Sequence, residues 1–232
     1  MKFSEDLFKE LGIQLTKKQE SQFEIYYYEL IEYNKHTNLT RITDELEVFY
    51  KHFFDSLTLV KVTDIIKLDT LCDMGAGAGF PSIPIKIVYP HLNVTIVDSS
   101  NKRINFLKTL VDKLEISQID LICDRVENYA TKHQQKFDVV TARALGALPL
   151  ILELGIPMLK STGHFIAYKS GNFQEELNFS KNALIKLHSK IHQVIEFSLP
   201  NQFGDRALID IVKNKHMSGY PRPYPQMLKK PL

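Results

Sequence analysis

Tryptophan is absent from this 232-residue chain, and cysteine occurs twice, at Cys72 and Cys123. Two thiols in apolar, strand-like runs make neither a disulfide framework nor a zinc site; they are expected to be buried free thiols of a reducing compartment. No stretch approaches the roughly 20 consecutive apolar residues of a membrane-spanning helix. The start, Met1-Lys2-Phe3-Ser4-Glu5-Asp6, is polar and acidic instead of basic and then apolar, so no secretory signal is expected. No Gly-Lys-Ser/Thr run is present, which excludes a phosphate-loop NTPase. Hydrophobic content of 44% with 24% charged residues excludes global disorder. These absences leave a cytoplasmic enzyme-sized globular chain without a metal site. It is expected to be a monomer, since no long apolar surface stripe goes unassigned.

The net charge of +2 is unevenly distributed. Beyond Ile211 there are Lys213, Lys215, Arg222, Lys229 and Lys230 and no acidic residue, so this end carries +5 and residues 1–210 carry −3. Such an end attracts phosphate backbones, or is simply a solvated terminus.

The first third reads helical. Thr16-Lys17-Lys18-Gln19 fits a capping box, and Phe23, Tyr27, Leu30 and Ile31 follow at helical spacing. The polar run Asn34–Thr40 is expected to be a loop, and Glu45–Val60 a second helix with Leu46, Phe49, Phe53 and Leu57 on one face. From Leu68 the pattern alternates. Strands are predicted at Leu68–Met74, Asn93–Asp98, Ile119–Cys123, Phe137–Ala142, Gly163–Lys169, Ile191–Ser198 and Ala207–Lys213. Helices are predicted at Pro81–Tyr89, Lys102–Leu114, Leu148–Leu159 and Gln174–His188. Repeated β-α-β units with apolar strands imply a mostly parallel seven-stranded sheet covered on both faces. The organisation is an N-terminal helical cap (1–66), an α/β core (67–214) and a basic Pro/Tyr-containing tail (215–232).

Glycines concentrate in Asp73-Met74-Gly75-Ala76-Gly77-Ala78-Gly79, where the first strand turns into a helix. Glycines permit the sharp turn and let a ligand approach the backbone, and ligands of open α/β sheets bind beyond the carboxyl ends of the strands. Asp98 ends the next strand 23 residues after Gly75, suited to accept hydrogen bonds from ribose hydroxyls. Dehydrogenases and methyltransferases share this much. The dehydrogenase fingerprint G-x-G-x-x-G would need a glycine where Phe80 stands. The Asp73 carboxylate is ill placed beside a pyrophosphate and suits a cofactor with an amino-acid moiety and a sulfonium. The loop therefore favours S-adenosylmethionine, with Gly75, Gly77, Asp73 and Asp98 as its candidates; a dinucleotide and a ligand-free turn are the alternatives. By topology, Val126 and Glu127 follow the third strand, where an adenine would lie, although Glu127 also suits a local helix cap. Arg143 ends the fourth strand, facing a cofactor carboxylate or a phosphate.

Several motifs occur in one order: Asn38-Leu39-Thr40, His52-Phe53-Phe54-Asp55-Ser56, the glycine loop with Phe80-Pro81, Asp98-Ser99 with Lys102-Arg103, Arg125-Val126-Glu127, Thr141-Ala142-Arg143-Ala144, Lys169, Tyr220-Pro221-Arg222 and Lys229-Lys230-Pro231-Leu232. Together they resemble the bacterial small-subunit ribosomal RNA guanine-N7 methyltransferase family RsmG, formerly glucose-inhibited division protein B, from about Asn34 to the last residue. The resemblance implies a Rossmann-like class I S-adenosylmethionine-dependent methyltransferase that modifies N7 of one guanine in the decoding-region loop of 16S rRNA. It implies cofactor contacts at Gly75, Phe80, Val126, Glu127 and Arg143, with Asp98. The departures are Ser82, Cys123-Asp124, Ser170 and Pro223-Tyr224-Pro225.

Guanine N7 carries a lone pair and no proton, so its methylation needs alignment and no catalytic base. In keeping with this, no Asn/Asp-Pro-Pro-Tyr/Phe run of amino-group methyltransferases is present, and no Pro-Cys nucleophile. His52 and Asp55, three residues apart, read as a local pair steadying the cap or as base contacts. Asn38 and Thr40 are candidates to approach the base or to order their loop. Lys169, Arg206 and Arg222 are candidate phosphate contacts or isolated surface cations. Phe80, Tyr220 and Tyr224 are candidates for stacking. A methyltransferase for tRNA or a small molecule, and a non-catalytic ribosome-assembly factor, are the competing functions.

Overall fold

The computed structural model describes residues 8–171 and 173–232. The first long helix, α1 (Lys17–Thr37), opens on the expected capping box: the Gln19 N–H donates to the Thr16 hydroxyl and the Thr16 N–H to the Gln19 side chain. The run expected as a loop divides. Asn34 to Thr37 continue the helix, and Asn38 ends it in the left-handed conformation (φ 51°), which asparagine tolerates.

The next helical stretch has three consecutive parts: α2 (Glu45–Val48), a π-helical segment Phe49–Phe54, and α3 (Asp55–Leu57). Wider π turns hold more residues each. The buried stripe accordingly runs through the neighbours Phe49 and Tyr50, Phe53 and Phe54, and Leu57 and Thr58, while Leu46, expected on the same face, is 47% exposed.

Seven strands follow: β1 (Thr70–Met74), β2 (Asn93–Asp98), β3 (Ile119–Cys123), β4 (Phe137–Arg143), β5 (Leu159–Ser170), β6 (Ser189–Ser198) and β7 (Asp205–Lys213). Between or after them lie α4 (Ser82–Val88), α5 (Asn101–Leu114), α6 (Val126–Lys132), α7 (Leu148–Gly155), α8 (Phe173–Phe179), α9 (Lys181–Lys186) and α10 (Tyr224–Lys229). The strand order is β3-β2-β1-β4-β5-β7-β6, with β1 to β5 parallel and β7 antiparallel to both neighbours. Order reverses between β1 and β4, so a crevice opens at their carboxyl ends.

Two predicted helices are shorter than expected. Pro157 cannot continue a helix: α7 stops at Gly155, a 3-10 turn spans Ile156–Met158, and Leu159 already pairs with Phe137 in the sheet. The Gln174–His188 helix is two, interrupted at buried Ser180, whose hydroxyl donates to the Glu176 carbonyl at 2.6 Å. Cys72 is buried in the interior strand β1, but Cys123 is exposed, because β3 is an edge strand and Cys123 its last residue.

Apolar residues cover both faces of the sheet. Phe23, Tyr26 and Phe53 of the N-terminal helices join α4 and α5 on one face, while α6, α7, α9 and the chain end, through Met227 and Leu232, cover the other. Among the described residues, no helix is long and apolar enough to cross a membrane, and no group of His, Cys, Asp and Glu is arranged to hold a metal ion.

One pair in the antiparallel half makes stability pH-dependent. His164 Nδ1 lies 2.8 Å from the buried Asp210 carboxylate, which also accepts from Gln193 Nε2 at 3.2 Å. The bond to Asp210 raises the His164 pKa. A histidine whose folded pKa exceeds its unfolded value of about 6.5 stabilises fully below that pH and loses the contribution as pH rises through the folded value. Thermal midpoints should therefore fall more steeply above about pH 6.5 in the wild type than in His164→Gln; parallel curves would refute the coupling.

Candidate active site

The glycine loop is tied into the sheet by its own backbone. The Gly75 N–H donates to the Val97 carbonyl at 2.8 Å, and the Gly77 N–H to Asp98 Oδ2 at 3.2 Å. Gly75 and Gly77 have φ of 66° and 62°, a region that L side chains rarely adopt. A Cβ on Gly75 would also stand 2.5 Å from Leu145 Cδ1, so that close approach requires glycine.

Beyond the loop lies an open cleft of about 190 Å³. Of the residues expected to contact a cofactor, Gly75, Asp98, Val126 and Glu127 line it. Asp98 is nearly fully buried; its two oxygens accept from the Gly77 N–H, the Ser100 N–H and Arg103 Nη1. Sequence reasoning missed Leu145, Leu150, Leu154 and Arg125 as lining residues, and it took Tyr224 for an RNA-stacking or tail-packing residue. The Leu150 and Leu154 spacing of four, on one helix face, was the available signal.

Two expected cofactor contacts turn elsewhere. Asp73 is fully buried beneath the loop, accepting from the Ser82 N–H at 3.1 Å and the Thr141 hydroxyl at 3.2 Å. Burial pushes its carboxyl up to about 6. Its role in these contacts is to seat the start of α4 against the strand end, in place of facing a ligand. The Phe80 ring is also buried, sandwiched between Tyr26 (5.2 Å, 12°) and His52 (4.4 Å, 16°).

Arg143, expected to face a cofactor carboxylate or a phosphate, is held by the N-terminal helices. Its guanidinium turns away from the cleft beside the glycine loop, toward those helices. It donates to Asp55 Oδ2 at 3.0 Å, to the Lys51 carbonyl at 3.2 Å and to His52 Nδ1 at 3.3 Å, with its centre 5.1 Å from the Phe80 ring centroid. Arg206 Nε approaches the other Asp55 oxygen at 3.3 Å. His52 and Asp55 are thus joined through Arg143 and not to each other. An arginine only donates, so His52 Nδ1 accepts and is unprotonated, and the proton on Nε2 is directed to Thr40 Oγ1 at 3.1 Å. Burial, with Arg143 nearby, lowers the His52 pKa to about 3 and keeps the ring neutral.

His52, Asp55 and Arg143 line a second, broader cleft of about 510 Å³, with Lys51, Lys169 and Arg206. Lys169 donates to the Gly146 carbonyl at 2.9 Å and to Glu176 at 2.7 Å. The turn Arg143–Gly146 separates the clefts: Leu145 faces the first, Arg143, Ala144 and Gly146 the second, and Ala144 holds a left-handed φ of 53°. Thr40 orders its own loop, accepting from the Ile42 N–H at 3.1 Å, and Asn38 is exposed at the helix end. Arg222, expected at a phosphate, is engaged by buried Glu153 on the opposite side of the sheet from the N-terminal helices.

A family model described as rRNA small subunit methyltransferase G (GidB) matches residues 19–208. The chain belongs to this family. The ribosomal RNA small subunit methyltransferase G of Acholeplasma laidlawii is 52% identical over 222 residues, covering 96% of each chain. That of Staphylococcus saprophyticus is 46% identical, covering 93% of this chain and 89% of its own. A solved S-adenosylmethionine-dependent methyltransferase from Aquifex aeolicus superposes with TM-score 0.57 at 16% identity, covering 76% of this chain and 97% of that one; at such identity the likeness is one of fold. The expected family and the Rossmann-like methyltransferase fold are both borne out.

The buried Asp73 gives a direct test of the loop's foundation. Asp73→Ala leaves the buried Ser82 N–H without an acceptor and should cost about 1–3 kcal/mol, while Asp73→Asn keeps an acceptor oxygen and should cost less. Urea unfolding measures both; equal losses would mean that these hydrogen bonds do not hold the loop.

Proposed function

We propose that this chain transfers the methyl group of S-adenosylmethionine to N7 of a guanine in the decoding-region loop of 16S rRNA, in the small ribosomal subunit or its assembly intermediate. The carrying observation is the pair of adjoining clefts divided by the Arg143–Gly146 turn, one beside the glycine loop and Asp98 and one lined by cations. The first fits the cofactor's chemistry. A carboxylate offers about four lone-pair positions, and Asp98 accepts three internal hydrogen bonds, leaving capacity for a ribose hydroxyl. Val126, Leu150 and Leu154 supply apolar walls for a nucleobase. When bound, S-adenosylmethionine supplies an electrophilic methyl on a sulfonium.

The second cleft suits a polyanionic acceptor that needs no deprotonation. Its lining carries Lys51, Arg143, Lys169 and Arg206 against Asp55 and Glu176, a net positive wall toward phosphates. Its imidazole is not disposed to act as a base, since Arg143 and Thr40 occupy both nitrogens of neutral His52. Guanine N7 attacks through a lone pair without losing a proton, so the residues align and exclude water. Acting on ribosomal subunits, the chain would work in the cytoplasm, as a monomer.

Labelled methyl transfer to small subunits, followed by mapping of 7-methylguanosine, tests this reading: one modified guanine in 16S rRNA is expected, and label confined to tRNA or small molecules would overturn it. Gly75→Ala imposes a left-handed φ on alanine and puts its Cβ 2.5 Å from Leu145 Cδ1, so that this cleft-lining side chain must shift. Calorimetry should show at least roughly tenfold weaker S-adenosylmethionine binding, about 1.4 kcal/mol. Unchanged affinity would remove the loop from the site.

A further inference from the structure

The C-terminal motif finds no place in the chemistry above, yet it reaches the cleft beside the glycine loop. Resting on the reading of that cleft as the S-adenosylmethionine site, we propose that the tail forms one wall of it through Tyr224, a cofactor-binding side chain, with Arg222 and Glu153 as the positioning pair.

Glu153, on α7, is 1% exposed. A carboxylate so buried must be paired and hydrogen-bonded. Its partner is Arg222: the Arg222 N–H donates to Oε1 at 3.0 Å, Nε to Oε1 at 2.6 Å and Nη2 to Oε2 at 2.6 Å. Nη2 also donates to the Lys230 carbonyl at 3.1 Å. One guanidinium thus fixes the chain on both sides of α10 (Tyr224–Lys229) to a single point on α7. The same α7 turns Leu150 and Leu154 into the cleft, so cleft wall and tail anchor share one rigid element.

Tyr224 is the first residue of α10, bracketed by Pro223 and Pro225, which restrict its backbone. Its ring lies 4.4 Å from the Arg125 guanidinium, and Arg125 Nε is ion-paired with Glu127. Tyr224, Arg125 and Glu127 line the cleft on the flank of Val126. An aromatic face beside that apolar residue matches a nucleobase. Tyr224 is only half-buried, so truncating it leaves the core filled.

The experiment is calorimetric titration of the full chain with S-adenosylmethionine and S-adenosylhomocysteine, with hydrogen exchange over residues 224–229. Tyr224→Ala should weaken both ligands at least fivefold at an unchanged thermal midpoint, and Tyr224→Phe, which keeps the ring, should bind within twofold of wild type. S-adenosylhomocysteine should slow exchange in α10 of the wild type, since coupling between cofactor and tail is reciprocal. Arg222→Gln should speed that exchange and weaken binding about as much as Tyr224→Ala, and the double variant should be no weaker than the weaker single one. If Arg222→Gln does not fold, the two Tyr224 variants decide. A wild type that binds cofactor alongside a Tyr224→Ala that binds equally well overturns the tail's role alone; a wild type that binds neither ligand overturns the cofactor reading, and this inference with it.

Discussion

One guanidinium joins the two halves of the site. Arg143, at the end of β4, reaches across to the Lys51 carbonyl, the His52 ring and the Asp55 carboxylate. Asp55 is nearly fully buried; burial raises its pKa while Arg143 and Arg206 pull it down. Removing one partner of such a buried pair commonly costs about 3–5 kcal/mol, because the other charge is left uncompensated. The π-helical segment belongs to the same constraint. Its turns bring Phe53 against both Phe80 and Tyr26 of α1 and lay His52 flat against the Phe80 ring. Tyr26 then donates to the Ala78 carbonyl at 2.6 Å, tying the N-terminal helix to the glycine loop. Helix, loop and strand end are therefore held as one unit.

Local signals in the sequence carried much of this. The strands Asn93–Asp98 and Ile119–Cys123 have the predicted bounds, since short apolar runs between turn residues leave little choice of period. Gly75 and Asp98 were legible as cleft residues because topology puts strand ends beside each other. What was illegible depends on distant partners. Arg143 and Asp55 are 88 residues apart and Arg222 and Glu153 69, so a cation read in isolation looks free for phosphate. Asp73 looked like a ligand residue because its neighbours are glycines, yet desolvation beneath α4 sets its role. Cys123 looked like core because edge position is a property of strand order, which composition does not encode. The π turns replace the plain helical period that Leu46, Phe49, Phe53 and Leu57 fit.

Cations held by internal carboxylates have a consequence for an RNA acceptor. Lys169 is fixed by Glu176 and Arg206 by Asp55, so on the proposed reading neither side chain would have to be ordered on meeting a phosphate. Immobilising a rotamer-rich side chain at an interface costs about 0.5–1.5 kcal/mol, and that cost is already met within the fold. The carboxylates lower the net field but leave the cleft wall positive, with four cations against two acids. Binding through such a wall favours placement over raw affinity. Placement is what a reaction without a general base demands: when the attacking nitrogen brings its own lone pair, the barrier is lowered chiefly by holding nucleophile and methyl in line. The rigid junction at Arg143, the left-handed Ala144 beside it and the neutral, fully bonded His52 all fix positions and offer no proton acceptor, in keeping with the alignment mechanism proposed above.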